Sequence, residues 1–178
     1  MIINDVGIID LDISNIGSLI NTISTLNFNC LKIKNPEDIN KFKKIIIPGV
    51  GSYDIAMSNI KNRNWLRHIK NYVQNPSNYL LGICLGMQIL SSVGFENNKE
   101  TKGLDVIEGE VDNLLNKGCK LQLPHIGWNE VSFLENSEPL TSGIPNKSDF
   151  YFVHNFGFFA ENKENIIGQT HYDCTFAS

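Results

Sequence analysis

The chain has 178 residues, of which 42% are hydrophobic and 19% are charged, with a formal net charge of -4. This composition is that of a globular protein long enough for one domain with its own core. It excludes a broad basic surface for nucleic acid, and no apolar run approaches the roughly 20 residues that span a bilayer, so we expect a soluble, cytoplasmic protein.

Strands and helices alternate through the first half of the chain. The hydrophobic pattern predicts strands at residues 6–10, 30–33, 43–48 and 79–84, and helices that begin at Asn15, at Asn35 and at Trp65. This order predicts an α/β fold with a doubly wound, mostly parallel central sheet and helices on both faces. In such a sheet, binding sites gather at the carboxyl ends of the strands.

After Gly103 the pattern changes to shorter strands. We predict strands within residues 104–115, 120–134, 149–159 and 165–172, which form a smaller, partly antiparallel C-terminal sheet. The chain is interpreted as a single domain over residues 1–178. Its last five residues are apolar or small, which indicates a chain truncated inside a structural unit at its C-terminus.

The cysteines and histidines follow no metal or disulfide pattern. No Cys-x-x-Cys pair is present, and the histidines lack the spacing of a metal cluster. The residues concerned are Cys30, Cys84, Cys119, Cys174, His68, His125, His154 and His171. We therefore predict neither a metal nor an organic cofactor.

One cysteine stands between an apolar strand and a predicted helix. Cys84 lies in the run Gly-Ile-Cys-Leu-Gly, with a glycine two residues away on each side. The same arrangement around serine forms a strained turn that lifts a nucleophile out of the sheet. A helix beginning at Cys84 would add N–H groups and a positive dipole end that favour the thiolate. The alternative is a small buried hydrophobic residue at the end of a strand.

Three further features are candidates for the same site. Residues 48–52, Pro-Gly-Val-Gly-Ser, follow the neighbouring strand, and their N–H groups could form half of an oxyanion hole. Gln88 follows Cys84 by one helical turn, so its amide can reach a substrate held at the sulfur. Glu96 could bind a substrate ammonium. The alternatives are an ordinary strand-to-helix turn and two solvated side chains.

Four segments in register resemble the class I glutamine amidotransferases. They are residues 48–51 (Pro-Gly-Val-Gly), 82–88 (Gly-Ile-Cys-Leu-Gly-Met-Gln), 124–129 (Pro-His-Ile-Gly-Trp-Asn) and 151–154 (Tyr-Phe-Val-His). The resemblance covers essentially the whole chain and is strongest to the glutaminase subunit of imidazole glycerol phosphate synthase. It implies that Cys84 attacks the side-chain amide of glutamine, releases ammonia and forms a glutamyl thioester that water cleaves.

The resemblance also implies roles for other residues. The oxyanion donors would be the N–H groups of Leu85 and of the loop Gly49, Val50 and Gly51, with the loop changing conformation. Glutamine would be bound by Gln88, Glu96, Asn155 and Phe156. The partner interface would include Pro124, His125, Trp128 and Asn129. His125 and His154 would be structural or interfacial, whereas the residues alone would have suggested His154 as a general base.

The implied partner is a (β/α)8-barrel cyclase or synthase subunit, which forms a heterodimer with this chain and receives the ammonia through a channel in histidine biosynthesis. Two departures from the family pattern qualify this function. Residues 10–15 read Asp-Leu-Asp-Ile-Ser-Asn where the family has Asp-Tyr-Gly-x-Gly-Asn, which suggests a divergent branch such as surface-sugar biosynthesis.

The second departure is the absence of the family's Gln-Phe-His-Pro-Glu segment, which carries the histidine and glutamate of the catalytic triad. Without a histidine, Cys84 has no general base and the departing ammonia has no acid, so we expect this chain to lack normal glutaminase activity. The alternatives are a non-catalytic scaffold subunit and a cysteine hydrolase that acts on another substrate.

Overall fold

Four parallel strands from the first half of the chain form one sheet. The computed structural model describes residues 3–134 and 139–178. The strands are β1 (Ile3–Ile9), β2 (Cys30–Ile33), β3 (Phe42–Gly49) and β4 (Tyr79–Cys84), in the spatial order β2-β1-β3-β4. The register places Gly49 opposite Cys84, so the glycine loop and the cysteine leave the sheet side by side.

Helices cover both faces of this sheet, which confirms the predicted α/β arrangement. They are α1 (Ile16–Thr25) on one face and α2 (Tyr53–Asn62) and α3 (Trp65–Val73) on the other. Asn15 caps α1, because its side-chain oxygen accepts a hydrogen bond from the N–H of Ser18. The predicted helix after Asn35 is a short 3-10 helix, Pro36–Lys41.

The second half of the chain forms an eight-stranded mixed sheet. Its strands are β5 (Val93–Glu96), β6 (Lys99–Lys102), β7 (Gly109–Asn113), β8 (His125–Phe133), β9 (Ser148–His154), β10 (Phe156–Ala160), β11 (Gly168–Tyr172) and β12 (Cys174–Ala177). The spatial order is β6-β5-β7-β10-β12-β11-β8-β9, and only the β5–β7 pair is parallel in the part of the chain that the structure describes.

The size predicted for this second sheet was wrong, because it is the larger of the two. Strands β5, β6 and β12 have only four residues each, which is too short for a clear alternation of polar and apolar positions. The single strand predicted within residues 149–159 is also two strands. A break at Asn155 lets β9 pair with β8 while β10 pairs with β7 and β12.

One hydrophobic core extends through both sheets. Ile47 of β3 and Tyr53 of α2 belong to the same buried cluster as Val111 of β7 and Phe158 of β10. This shared core holds the first sheet, with the carboxyl end of β4, against the second sheet. Among the described residues, the helices are all too short or too polar to cross a lipid bilayer.

Candidate active site

Cys84 occupies a sharp turn between β4 and a single helical turn, α4 (Leu85–Gln88). Its backbone has φ of 56° and ψ of -118°, a conformation that residues with a side chain rarely adopt, and the residue is exposed. A Cβ at Gly82 would lie 2.5 Å from the carbonyl oxygen of Gly86, and one at Gly86 would overlap the carbonyl of Ile47. The two glycines therefore permit the turn that presents the sulfur.

The helix after Cys84 is only one turn long. Because α4 has only four residues, few peptide dipoles are aligned behind Cys84. The helix dipole that we expected to favour the thiolate is correspondingly weak.

The loop Gly49–Gly51 lies beside Cys84, but one of its predicted oxyanion donors is occupied. The N–H of Val50 donates to the carbonyl of Ile13 at 2.8 Å, and the Val50 side chain is 61% exposed. Gly51 has φ of +103° and no atom within 4 Å of the position that a Cβ would take. An oxyanion would gain the Val50 donor only if this backbone turned, which open space around Gly51 allows.

Gln88 lies with Cys84 on the wall of a cavity of about 540 Å³. Its Nε2 donates to the carbonyl oxygen of Phe156 at 3.0 Å. Since a carbonyl can only accept, the amide nitrogen must face Phe156, and Oε1 is the end that can accept a hydrogen bond from a ligand. Phe156 lines the same cavity, so the structure brings three of the predicted residues together.

Glu96 and Asn155 make different contacts from those expected. The Glu96 carboxylate accepts a hydrogen bond from the N–H of Tyr53 at 2.6 Å, at the start of α2. A carboxylate there satisfies an otherwise unpaired N–H group of the helix that follows the glycine loop. Asn155 is exposed, and its backbone carbonyl accepts from the N–H of Leu114 at 3.0 Å.

The cavity beside Cys84 is lined mainly by apolar side chains. They come from β4, α4, β8, β9, β10, β12 and the segment 140–144. Its volume lies within the roughly 300–1,000 Å³ typical of small-molecule sites, which contain a few polar groups on apolar walls. A ligand the size of an amino acid fits this space beside the sulfur.

The buried His125 and the half-buried His154 form a pair that the sequence analysis did not foresee. Nδ1 of His125 and Nε2 of His154 are 2.9 Å apart, and Nδ1 of His154 is 2.8 Å from the carbonyl oxygen of Phe156. Both nitrogens of His154 are therefore engaged away from Cys84. Sequence spacing could not reveal the pair, because the register of β8 and β9 places the two residues opposite each other.

An exposed apolar face lies on the outer strands β8 and β9. Trp128 is 72% exposed and contacts Tyr151 across the strand pair, with ring centroids 5.7 Å apart. Ile126 and Val153 face each other in the same pair and are also exposed. His125 was expected at this interface, but it is only 3% exposed and stacks against interior rings, so it lies behind the surface.

Comparisons with known proteins show what the chain is similar to. The SNO glutamine amidotransferase family matches residues 14–114. Over 175 residues, the chain is 35% identical to imidazole glycerol phosphate synthase subunit HisH 1 of Prochlorococcus marinus (strain MIT 9313), covering 96% of this chain and 81% of that protein. Over 151 residues, it is 40% identical to subunit HisH 1 of Campylobacter jejuni subsp. jejuni (strain 81-176), covering 85% of this chain and 74% of that protein.

Solved structures show the same fold at lower identity. A glutamine amidotransferase crystal structure has a TM-score of 0.70 at 14% identity, covering 93% of this chain and 84% of that one. A protein of Thermoplasma acidophilum described as part of a GMP synthase has a TM-score of 0.65 at 13% identity, covering 95% of this chain and 74% of that one. With the family match and these relatives together, the chain belongs to the glutamine amidotransferase family, among the HisH subunits of imidazole glycerol phosphate synthase.

Proposed function

We propose that this chain is a glutaminase subunit that hydrolyses glutamine to glutamate and ammonia for an imidazole glycerol phosphate synthase in histidine biosynthesis. The observation that carries the proposal is the exposed Cys84 sulfur in a strained turn, on a cavity that also contains the Gln88 amide. The names of the HisH relatives support the same reaction and pathway.

In the proposed reaction, the Cys84 thiolate attacks the side-chain carbonyl carbon of glutamine. The C–N bond then breaks, the nitrogen leaves as ammonia after gaining a proton, and a glutamyl thioester remains. Water attacks the thioester, which releases glutamate and returns the thiol. The N–H groups of Leu85 and of the Gly49–Gly51 loop stabilise the oxyanion once Val50 leaves the carbonyl of Ile13.

Gln88 and Phe156 hold the glutamine in this proposal. Oε1 of Gln88 accepts from an N–H group of the substrate, because its amide nitrogen is already bound to Phe156. Glu96 acts one step away, through its hydrogen bond to the first residue of α2. Asn155 contributes through the backbone that joins β9 to β10.

Turnover needs a general base. In the described residues, no histidine is hydrogen-bonded to Cys84, since His125 and His154 pair with each other, His171 contacts Thr175, and His68 lies on α3. We propose that the isolated 178-residue chain forms the thioester slowly and has no normal glutaminase turnover. A base typically contributes about 10²–10⁴-fold to such a step.

The proposed partner is a (β/α)8-barrel synthase subunit that receives the ammonia directly. Its docking surface is centred on Trp128, on the exposed apolar face of β8 and β9, and we propose that it extends to Pro124, just before β8, and to Asn129. A large aromatic side chain at the centre of such a face is a typical anchor of a protein interface. A closed interface would keep the ammonia from being protonated and lost in water.

A scaffold subunit without catalysis is the second candidate. It is favoured by the occupied Val50 N–H, and by the lack of a histidine bonded to Cys84 in the part of the chain that the structure describes. The scaffold and the glutaminase differ in whether Cys84 reacts inside a site that recognises glutamine.

The test is selective labelling of the cysteines with a diazoketone analogue of L-glutamine, read by peptide mass spectrometry. We expect Cys84 to react much faster than Cys30 and Cys119, and excess L-glutamine to slow that reaction. Equal rates at the three cysteines would contradict the glutaminase proposal and favour the scaffold. Fast labelling of Cys84 that L-glutamine does not slow would favour a hydrolase with another substrate.

A further inference from the structure

A continuous chain of hydrogen bonds connects the glutamine pocket to Asn129 on β8, on the side of the strand that His125 occupies. Starting at the pocket, Gln88 and His154 both contact the carbonyl oxygen of Phe156, at 3.0 and 2.8 Å. His154 contacts His125 at 2.9 Å, and Nε2 of His125 lies 3.3 Å from Nδ2 of Asn129. Asn129 is the neighbour of Trp128 in the sequence.

The direction of every bond in this chain follows from its inner end. The Phe156 carbonyl can only accept, so Nδ1 of His154 carries the proton. Burial lowers the pKa of His154 and His125, and the neighbouring His154 lowers that of His125 further, so both rings are neutral at pH 7. Nε2 of His154 must then accept from Nδ1 of His125, which leaves Nε2 of His125 to accept from Asn129.

The outer end of the chain gives the same direction independently. Nδ2 of Asn129 also donates to the carbonyl of His171 at 3.2 Å, and Oδ1 accepts from the N–H of Glu130 at 2.8 Å. The amide nitrogen therefore faces His125, as the inner end requires. Agreement between two unrelated constraints indicates one preferred proton arrangement.

Packing holds the two imidazole rings in place. His125 stacks against Tyr172 at 4.0 Å and Phe152 at 4.9 Å, measured between ring centroids. His154 contacts Phe176 edge to face at 4.9 Å. Neither ring can turn without displacing aromatic neighbours, so the pair fixes the position of the Phe156 carbonyl.

We propose that His154 and His125 are positioning residues that hold the Phe156 carbonyl against Gln88, and thereby orient the amide that recognises glutamine. This inference rests on the proposed function. It adds a physical connection between the glutamine pocket and the side of β8 that carries His125 and Asn129.

The test compares His154→Phe with His154→Asn. Phenylalanine keeps a ring but cannot donate, whereas the side-chain amide of asparagine can replace the Nδ1 donor. The readout is the L-glutamine concentration that halves the rate at which iodoacetamide alkylates Cys84. We expect His154→Phe to raise this concentration by about tenfold, the cost of one partly buried hydrogen bond, and His154→Asn to change it little. The alkylation rate without glutamine should be the same in all three proteins, because the sulfur is untouched.

A second measurement decides the inference without glutamine. Long-range ¹H–¹⁵N spectra should show the Nδ1–H tautomer for both His125 and His154, and His154→Phe should shift the side-chain amide signals of Gln88. An Nε2–H tautomer at His154, or unchanged Gln88 signals, would overturn the inference. If glutamine failed to protect wild-type Cys84 while these spectra appeared as expected, the proposed function would fail and the positioning role would stand.

Discussion

Gly86 shows how strictly the turn at Cys84 restricts its neighbours. A methyl group at this position would overlap the carbonyl of Ile47, a backbone group in the middle of the sheet that cannot move aside. We expect Gly86→Ala to lower the free energy of unfolding by about 3 kcal/mol and to slow labelling of Cys84 by the glutamine analogue. Urea unfolding measures the first effect.

Gly17 provides the matched control for this substitution. It lies in α1, and the nearest atom to an added Cβ is 3.7 Å away. Gly17→Ala should leave the free energy of unfolding equal or slightly higher, because alanine is the better helix former. Equal losses at Gly17 and Gly86 would show that the turn does not need glycine for packing.

The His125–His154 pair predicts a loss of stability in mild acid. The pKa of each ring is lowered in the folded protein from the ordinary value of 6.5, chiefly by burial, so the unfolded chain binds protons first as the pH falls. The side chains that pack on the pair are those of Phe152, Tyr172 and Phe176. These aromatic rings carry no negative charge that would stabilise an imidazolium. The free energy of unfolding should therefore fall below pH 6.5.

The expected decrease is roughly 1 kcal/mol between pH 6.5 and 5.5, within the limit of about 1.4 kcal/mol per pH unit for each proton. Urea unfolding across this range measures it. In His154→Asn one titrating ring is gone, so the dependence on pH should be weaker. The same slope in both proteins would mean that other groups cause the loss.

At the scale of the elements, local patterns predicted the parallel half of the fold well. Cys30–Ile33 has the bounds that the sequence indicated and α3 begins at Trp65 as predicted, because apolar spacing acts within a few residues. The second sheet depends on pairings between distant residues, such as β7 with β10 and β10 with β12. Nothing in the local sequence specifies these neighbours.

The candidate site likewise combines features that follow from the local sequence with contacts between distant residues. The exposed turn at Cys84 and its nearness to Gly49 follow from one strand–turn pattern and from parallel pairing. The contact between Gln88 and the Phe156 carbonyl joins α4 to the break between β9 and β10. It could not be predicted, because the break itself was unforeseen. The hydrogen bond from Val50 to Ile13 was also missed, because it depends on the conformation of the divergent loop after β1.

The glycine loop yields a prediction at this scale. If the loop must turn to free the Val50 N–H, Gly51 at φ of +103° is the residue that absorbs the change. We expect Gly51→Ala to slow labelling of Cys84 by the diazoketone analogue, whose carbonyl needs an oxyanion donor. Alkylation by iodoacetamide should be unaffected, because that reaction forms no oxyanion.

Gly118 supplies the control for the loop. It has φ of +92°, again with no atom within 4 Å of an added Cβ, and it ends the short 3-10 helix Leu114–Lys117 far along the chain from the glycine loop. Gly118→Ala should cost similar stability, about 1 kcal/mol, from backbone strain alone. If it slowed diazoketone labelling as much as Gly51→Ala, a general loss of stability would explain both results.

At the scale of the whole molecule, strands β8 and β9 carry the exposed apolar face and also contribute to the wall of the pocket at Cys84. Trp128 of β8 and Tyr151 of β9 are in contact on the exposed face, while Phe152 and His154, which alternate with Tyr151 along β9, contact His125 and Phe176 on the other side. Because alternate residues of a strand point to opposite sides, a partner bound to the exposed face would be separated from the proposed glutamine site by the thickness of the sheet. This arrangement suits a subunit that must pass ammonia to its partner.

The proposed interface predicts a strong effect of Trp128→Ala on assembly. The side chain is 72% exposed in the free chain, so its removal should leave the fold intact. Calorimetric titration with the synthase subunit should show binding weaker by about 2 kcal/mol or more, as for a central aromatic residue in an interface. Phe28→Ala removes another exposed aromatic ring, 59% exposed and located in the connection between α1 and β2, and should not change the affinity. Equal losses for the two variants, or none for Trp128→Ala, would place the partner on another surface and would separate the ammonia route from β8 and β9.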